Sequence, residues 1–299
     1  MKRTFLFFVL GLVFSIACNR ETRSEAEINQ TKVRTDNTLP FQSGHSEVNG
    51  LQMYYEVYGK GKPLVLIHGG GSTIQSTFGK VIPLFAKSRQ IIAVELQAHG
   101  RTSDRNADSS FEQDADDVAT LLANLQIDKA DFFGFSNGGT TTLQIAIRHP
   151  EIVNKIVLGS ALAKRSGVPD FFWEVMNKAN LENMPQPLKQ AYLDVAANPD
   201  GLQVMHDRDA KRMVNFKDIP DALIESINVP TLLIIGDKDI ITPEHALELH
   251  RQIPNSELAI IPGGHGAYIG EITTLQPGFK ESQLIVPLIE KFLDQKKEE

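Results

Sequence analysis

The chain has 299 residues, of which 41% are hydrophobic and 22% charged. This balance excludes a wholly disordered or fibrous protein and fits one large α/β domain, or one domain with an insert. The formal net charge is −7 at pH 7 without a basic stretch, which argues against a nucleic-acid partner. Cys18 is the only cysteine, which excludes an internal disulfide and a zinc-finger type of site.

The N-terminus has the features of an export signal. Lys2 and Arg3 precede an apolar run over residues 5–17, which is short for a membrane-spanning helix and suits the apolar part of a signal peptide. We therefore predict a signal peptide over 1–17, followed by a flexible polar tether over 18–43.

The cysteine after this run suggests how the protein is anchored. The run Ser15-Ile16-Ala17-Cys18 resembles a bacterial lipoprotein signal. This resemblance implies a lipid on Cys18 and an exported protein, anchored at a bacterial membrane and facing the periplasm or the outside. An ordinary secretory signal with an incidental cysteine, or a retained N-terminal anchor, are the alternatives.

After the tether, the predicted elements alternate between strands and helices. The first is a hairpin with strands over 46–49 and 51–58 around Asn49-Gly50. Further strands are predicted at short continuous apolar runs, over residues 63–67, 91–96, 131–135, 155–158, 231–235 and 258–261. Helices are predicted over 74–87 with an interruption at Pro83, over 111–125 after a capping box of Ser109 and Glu112, over 138–149, after Thr242, and over 281–294.

One long segment, over residues 164–220, breaks this alternation, because it contains no predicted strand and is rich in helix formers. We interpret it as a helical cap inserted into a core made of 44–163 and 221–299. Such a core has a mostly parallel sheet with helices on both faces, and ligands bind at the carboxyl ends of its strands. The apolar cap residues are expected to form the cap's own core, or alternatively to wall an acyl pocket; they are Phe171, Phe172, Trp173, Val175 and Met176.

Ser136 lies at the centre of the run Gly134-Phe135-Ser136-Asn137-Gly138, between a predicted strand and a predicted helix. A Gly-x-Ser-x-Gly turn in that position is tight, so it exposes the serine hydroxyl at the top of the sheet, near the helix N-terminus. Because a serine hydroxyl is a weak nucleophile, it needs a base close by. Ser136 is the candidate nucleophile.

A candidate base and a candidate acid follow later in the chain, each after a predicted strand. His265, in a Gly-Gly-His-Gly run, is the candidate base, because imidazole exchanges protons near neutral pH. His68, in a glycine loop, is instead expected to order the backbone. The acid that orients His265 is either Asp239 or Asp237, because both follow the strand predicted over 231–235.

Backbone N–H groups that could bind an oxyanion are expected at two places. One is Asn137, directly after Ser136. The other is Gly70 or Gly71 in the His-Gly-Gly-Gly run, where glycine lets a substrate approach the backbone closely.

These motifs, over about residues 46–294, resemble the α/β-hydrolase superfamily, in its branch with an HG-x oxyanion loop and a GxSxG elbow. The segment over 95–103 is similar to that branch's D-x-x-G-H-G-x-S segment, with Glu95 in place of the common Asp. The resemblance implies an α/β-hydrolase fold and the order Ser136, Asp239, His265. It favours Asp239 over Asp237, and Gly70 over Gly71.

The predicted activity is therefore hydrolysis of a carboxylic ester, thioester or lactone in a small-molecule acyl substrate, without a metal or organic cofactor. The alternatives on the same fold are acyl transfer, perhydrolysis as in cofactor-free haloperoxidases, carbon–carbon bond hydrolysis and iminopeptidase activity. A non-catalytic binding protein is the more distant alternative. Membrane contact is expected only through the lipid anchor, and the oligomeric state stays open.

Overall fold

Eight strands form one sheet in the order β1-β2-β4-β3-β5-β6-β7-β8. The computed structural model describes residues 39–296. The strands are β1 Phe41–Val48, β2 Leu51–Tyr58, β3 Lys62–Ile67, β4 Arg89–Val94, β5 Ala130–Phe135, β6 Val153–Gly159, β7 Thr231–Gly236 and β8 Ser256–Ile261. The β1–β2 and β2–β4 pairs are antiparallel and all others are parallel. The α/β fold class and the mostly parallel sheet are thereby confirmed.

Helices connect the strands and cover both faces of the sheet. They are α1 Ile74–Phe78, α2 Ile82–Phe85, α3 Phe111–Asn124, α4 Asn137–Arg148, α5 Asp170–Met176, α6 Gln186–Leu193, α7 Gly201–Val214, α8 Asp221–Glu225, α9 Pro243–Gln252 and α10 Ser282–Asp294. The helix predicted over 74–87 is two short helices, because Pro83 favours the start of a new helix and occupies the second position of α2. Across residues 39–296, no helix combines the length and apolarity needed to cross a membrane.

The core lies on both faces of the sheet. In β3, Leu64 and Leu66 belong to the apolar cluster on one face, whereas Val65 and Ile67 belong to the cluster on the other. All four side chains are fully buried. Because successive side chains of a strand point to opposite faces, this continuous apolar run is what a strand covered on both faces requires.

Residues 164–220, the predicted cap, contain α5, α6 and α7 without a strand. Helix α7 is fixed to the loop before α3 and to α3 itself by ion pairs. Arg208 Nη2 lies 2.8 Å from Asp104 Oδ2, and Arg212 Nη1 lies 2.6 Å from Asp114 Oδ2. The cap therefore contacts the core through charged groups as well as through apolar packing.

The N-terminal boundary of the sheet differs from the prediction. Residues 41–43, predicted as the end of the 18–43 tether, are the first part of β1, where Phe41 pairs with Tyr58 and Ser43 with Glu56. Backbone pairing with a neighbouring strand needs no apolar run, so composition did not reveal these residues as a strand. The predicted signal peptide over 1–17, Cys18 and the tether up to residue 38 lie outside the described residues.

Candidate active site

Ser136 lies in a sharp turn between the end of β5 and the start of α4. Its backbone has φ 55° and ψ −120°, a conformation that residues with a side chain rarely adopt. The turn needs its flanking glycines. A Cβ on Gly134 would lie 2.0 Å from the carbonyl oxygen of Gly138, and one on Gly138 would lie 2.1 Å from that of Ile67.

Ser136 and His265 contact each other at the carboxyl ends of the strands, and His265 also contacts Asp239. The Ser136 Oγ lies 3.0 Å from His265 Nε2, and His265 Nδ1 lies 2.7 Å from Asp239 Oδ1. Burial opposes ionisation of Asp239, but the hydrogen bond and charge of His265 outweigh it, so the pKa of Asp239 lies below its ordinary value. A carboxylate at Nδ1 favours the tautomer in which Nε2 can accept a proton from Ser136.

The structure distinguishes the two candidate acids. The side chain of Asp239 is fully buried against His265. Asp237 accepts a hydrogen bond from the backbone N–H of Gly263 at 2.7 Å, and so stabilises the turn that precedes His265. Of the two, Asp239 has the contact that the resemblance assigned to it.

Two residues that the sequence did not single out support the second oxygen of Asp239, Ser160 by direct contact and Tyr268 through Ser160. Ser160 Oγ donates to Asp239 Oδ2 at 2.7 Å and lies 2.9 Å from the hydroxyl oxygen of Tyr268. Ser160 directly follows β6, so its position after a parallel strand was a signal that could have identified it. Tyr268 carried no comparable signal, because it follows His265 inside a loop.

The candidate oxyanion donors lie around the same cavity as Ser136. Gly70 and Asn137 line it, and across residues 39–296 neither backbone N–H is paired with a hydrogen-bond acceptor. The N–H of Gly71, by contrast, donates to Asp209 Oδ2 at 2.6 Å. Gly70 and Asn137 thus keep their donors available for a ligand, whereas Gly71 does not.

His68 holds the glycine loop from inside the core. Its Nδ1 lies 2.7 Å from the carbonyl oxygen of Gly69, and its Nε2 accepts from the backbone N–H of Leu96 at 3.0 Å. Burial and the neighbouring His99 lower the pKa of His68 to about 3. The ring is therefore neutral at pH 7, with one donor and one acceptor nitrogen, and it orders the backbone as the sequence suggested.

A cavity of about 530 Å³ opens above Ser136, between the strand ends and the cap. Its apolar lining from the cap consists of Val168, Phe171, Phe172, Val175, Met176, Ala179, Met184, Pro185, Leu188, Met205, Ala210 and Met213. Four of the five apolar residues of the first cap helix line the cavity, as in the alternative interpretation, but Phe172 and Met176 also pack against the apolar cluster that contains Trp173, as the preferred interpretation expected. Only Trp173 is absent from this lining, and it stacks on Phe216 with ring centroids 5.8 Å apart. The sequence could not resolve this, since an apolar residue suits either environment.

The arrangement can transfer a proton from a hydroxyl to an imidazole beside an apolar cavity. Within the described part of the chain, no group of three or more His, Cys, Asp or Glu residues is arranged to hold a metal ion. The chemistry available from the chain's own groups is nucleophilic attack by Ser136, proton transfer through His265 and hydrogen bonding by backbone N–H groups.

The sequence and the fold of this chain are similar to those of known proteins. The family described as alpha/beta hydrolase fold matches residues 62–212. Human serine hydrolase BPHL is 29% identical over 237 residues, covering 73% of this chain and 77% of the relative. The pimeloyl-[acyl-carrier protein] methyl ester esterase of Neisseria meningitidis (strain FAM18) is 29% identical over 226 residues, covering 67% and 84%. A serine hydrolase involved in carbazole degradation, the CarC enzyme, superposes with a TM-score of 0.70 at 23% identity, covering 86% of this chain and 100% of that one, a similarity that concerns the fold alone.

Proposed function

The chain belongs to the alpha/beta hydrolase fold family, and from that premise we propose that it is a serine hydrolase that cleaves carboxylic esters through an acyl-enzyme on Ser136. Thioesters and lactones present the same acyl carbon and fall within the proposal. A hydrolase acting on a small-molecule substrate agrees with the relatives, one of which is named as a methyl ester esterase.

In the first half of the proposed reaction, Ser136 Oγ forms a bond to the acyl carbon while its proton passes to His265 Nε2. The carbonyl oxygen becomes an oxyanion, which accepts hydrogen bonds from the N–H groups of Gly70 and Asn137. Asp239 stabilises the imidazolium. The carbon–oxygen bond of the ester then breaks, and the leaving alcohol takes the proton from His265.

The second half repeats these steps with water. Water attacks the acyl carbon as His265 takes one of its protons, and a second oxyanion forms at the same N–H groups. Its collapse releases the carboxylic acid and returns the proton to Ser136. No group outside the chain, the ester and water is needed to balance the reaction.

One observation carries this proposal: Ser136 contacts His265 and His265 contacts Asp239, beside the backbone N–H groups of Gly70 and Asn137, which have no acceptor within residues 39–296. Labelling with a fluorophosphonate probe tests it, because the probe reacts with an activated serine. We expect the folded wild type to be labelled and Ser136→Ala not to be. Absence of labelling, or equal labelling of Ser136→Ala, would favour a non-catalytic binding protein or another nucleophile.

The residues that line the cavity favour a substrate whose acyl group carries no charge. No arginine is among its lining residues in the described chain, and the one lysine, Lys178, is exposed. A carboxylate on the acyl chain would therefore enter an apolar cavity without a buried cation, which is costly. We expect p-nitrophenyl hexanoate to have at least about tenfold higher kcat/KM than the similar-sized mono-p-nitrophenyl glutarate. Equal values would contradict this part of the proposal.

We also propose that the protein is exported and anchored at a bacterial membrane through a lipid on Cys18. The basic start, the apolar run over 5–17 and the cysteine after it support this. Expressed in a bacterium, the wild type is expected to partition into the detergent phase of a Triton X-114 extract, and Cys18→Ser into the aqueous phase. A Cys18→Ser protein that stays in detergent would contradict lipidation.

A further inference from the structure

A carboxylate of the cap reaches into the loop that carries Gly70. Asp209, on α7, accepts hydrogen bonds through Oδ2 from the backbone N–H of Gly71 at 2.6 Å and from His99 Nε2 at 3.0 Å. Its Oδ1 bonds Arg212. Asp209 also lines the cavity, with 13% of its side chain exposed. The carboxylate therefore connects the cap, the core and the edge of the candidate site.

The Gly71 bond is a restraint on the backbone beside Gly70. Residues 69–71 are three consecutive glycines, which have no side chains to limit their dihedral angles. The N–H of Gly71 belongs to the peptide plane on the carboxyl side of Gly70, so a partner at Gly71 fixes one of the two planes that meet at the Gly70 Cα. The Gly70 N–H lies in the other plane, which is joined to the restrained plane through the Gly70 Cα.

The groups around Asp209 favour its ionised form and compensate its negative charge. Burial opposes ionisation, but Arg212 and His99 outweigh it and hold the pKa of Asp209 below its ordinary value. The Asp209 charge in turn raises the pKa of His99 against the effect of burial. Arg212 also binds Asp114 of α3 at 2.6 Å, which fixes the cation in place.

We propose that Asp209 is a positioning residue: it fixes the oxyanion loop through the Gly71 N–H, so that the oxyanion site is complete only while Asp209 of α7 accepts from that N–H. This inference rests on the proposed serine hydrolase activity. Asp209 acts on the oxyanion through the backbone and transfers no proton.

A comparison of two neighbouring variants tests this role. Asp209→Ala removes the acceptor for Gly71. Arg208→Gln is the matched control, because it removes an ion pair between the same helix and Asp104 without touching the glycine loop. Two quantities are measured for each: kcat and KM on p-nitrophenyl hexanoate, and the affinity for an alkyl trifluoromethyl ketone, which Ser136 would convert into a bound oxyanion.

For Asp209→Ala we expect kcat and the ketone affinity each to fall about tenfold with KM unchanged, because the loss concerns the oxyanion state. Arg208→Gln should keep both within about twofold. Asp209→Asn should recover part of the loss, because its amide oxygen can still accept from the Gly71 N–H. If Asp209→Ala does not fold, Asp209→Glu replaces it. That variant keeps the charge beside Arg212 but displaces the carboxylate from Gly71, and the same loss is expected.

Wild-type kcat and ketone affinity in Asp209→Ala, or an equal loss in Arg208→Gln, would overturn the role of Asp209. Fluorophosphonate labelling of the wild type separates this result from failure of the proposed function. A labelled wild type with either of these results overturns the positioning role alone. An unlabelled wild type overturns the hydrolase proposal, and this inference with it.

Discussion

The two sides of the cavity are built in different ways. On the core side, Ser136, Asp239 and His265 follow strands of one sheet, and each has a polar contact at 3.0 Å or less. On the cap side the lining is mostly apolar, and Phe171 and Val175 of α5 are 56% and 54% exposed. From this difference we expect the sheet to fix the proposed reacting groups, and the cap to select the substrate and to tolerate change.

The largest effect is expected on the core side, at Asp239. Asp239→Asn should lower kcat on p-nitrophenyl esters by about 10⁴-fold, because the amide can stabilise the wrong tautomer of His265. Asp237→Asn is the matched control and should stay near wild type, since its amide oxygen can still accept from Gly263. A wild-type kcat in Asp239→Asn would move the acid's role to Asp237.

A second test on the core side concerns the protonation of His68, which holds the glycine loop. Its folded-state pKa of about 3 lies below the ordinary value of 6.5. Between these values the unfolded chain binds a proton that the folded chain does not, so the free energy of unfolding should fall as the pH falls. His68→Gln should reduce this pH dependence by at most about 1.4 kcal/mol per pH unit.

Urea unfolding of the wild type and of His68→Gln at several pH values between 7 and 3.5 measures this slope. Because the two slopes are compared, a loss of stability in the variant that is the same at every pH does not affect the result. If both proteins show the same slope, the His68 ring is not held neutral in the folded state.

A smaller effect is expected where Asp239 is supported. Ser160→Ala removes the donor to Asp239 Oδ2, and we expect about a tenfold loss in kcat with little change in KM. Tyr268→Phe keeps the Ser160–Asp239 hydrogen bond and should lose less. Steady-state kinetics on one ester compares the two, and a larger loss in Tyr268→Phe would reverse the assignment of roles.

The smallest effect is expected on the cap side. Val175→Asp places a charge at the cavity lining and should raise KM for a p-nitrophenyl octanoate by about tenfold while leaving the acetate nearly unchanged. Val204→Asp, on α7 outside the lining, is the matched control, because Val204 is also exposed. Equal effects on both esters would mean that α5 does not contact the acyl chain.

Individual residues show where the sequence sufficed and where it did not. The helix predicted to start from a capping box at Ser109 is capped by Ser110, whose hydroxyl accepts from the N–H of Gln113 at 3.1 Å. Two adjacent serines have nearly the same local preference, and the choice depends on where the helix starts. Ser109 instead donates to the carbonyl oxygen of Arg208 in the cap, a contact that no local pattern contains.

The sequence by itself determined the alternation of strands and helices, the Ser136 turn and the chain order of Ser136, Asp239 and His265. These features depend on apolar periodicity and on steric limits between residues close in the chain, as the clash distances at Gly134 and Gly138 illustrate. Only the tertiary structure decided that Ser160 supports Asp239, that α5 faces the cavity and that Asp209 binds Gly71. Ser160 and Asp239 are 79 positions apart in the chain, and Gly71 and Asp209 are 138 positions apart. Such contacts form only once the sheet and the cap have packed.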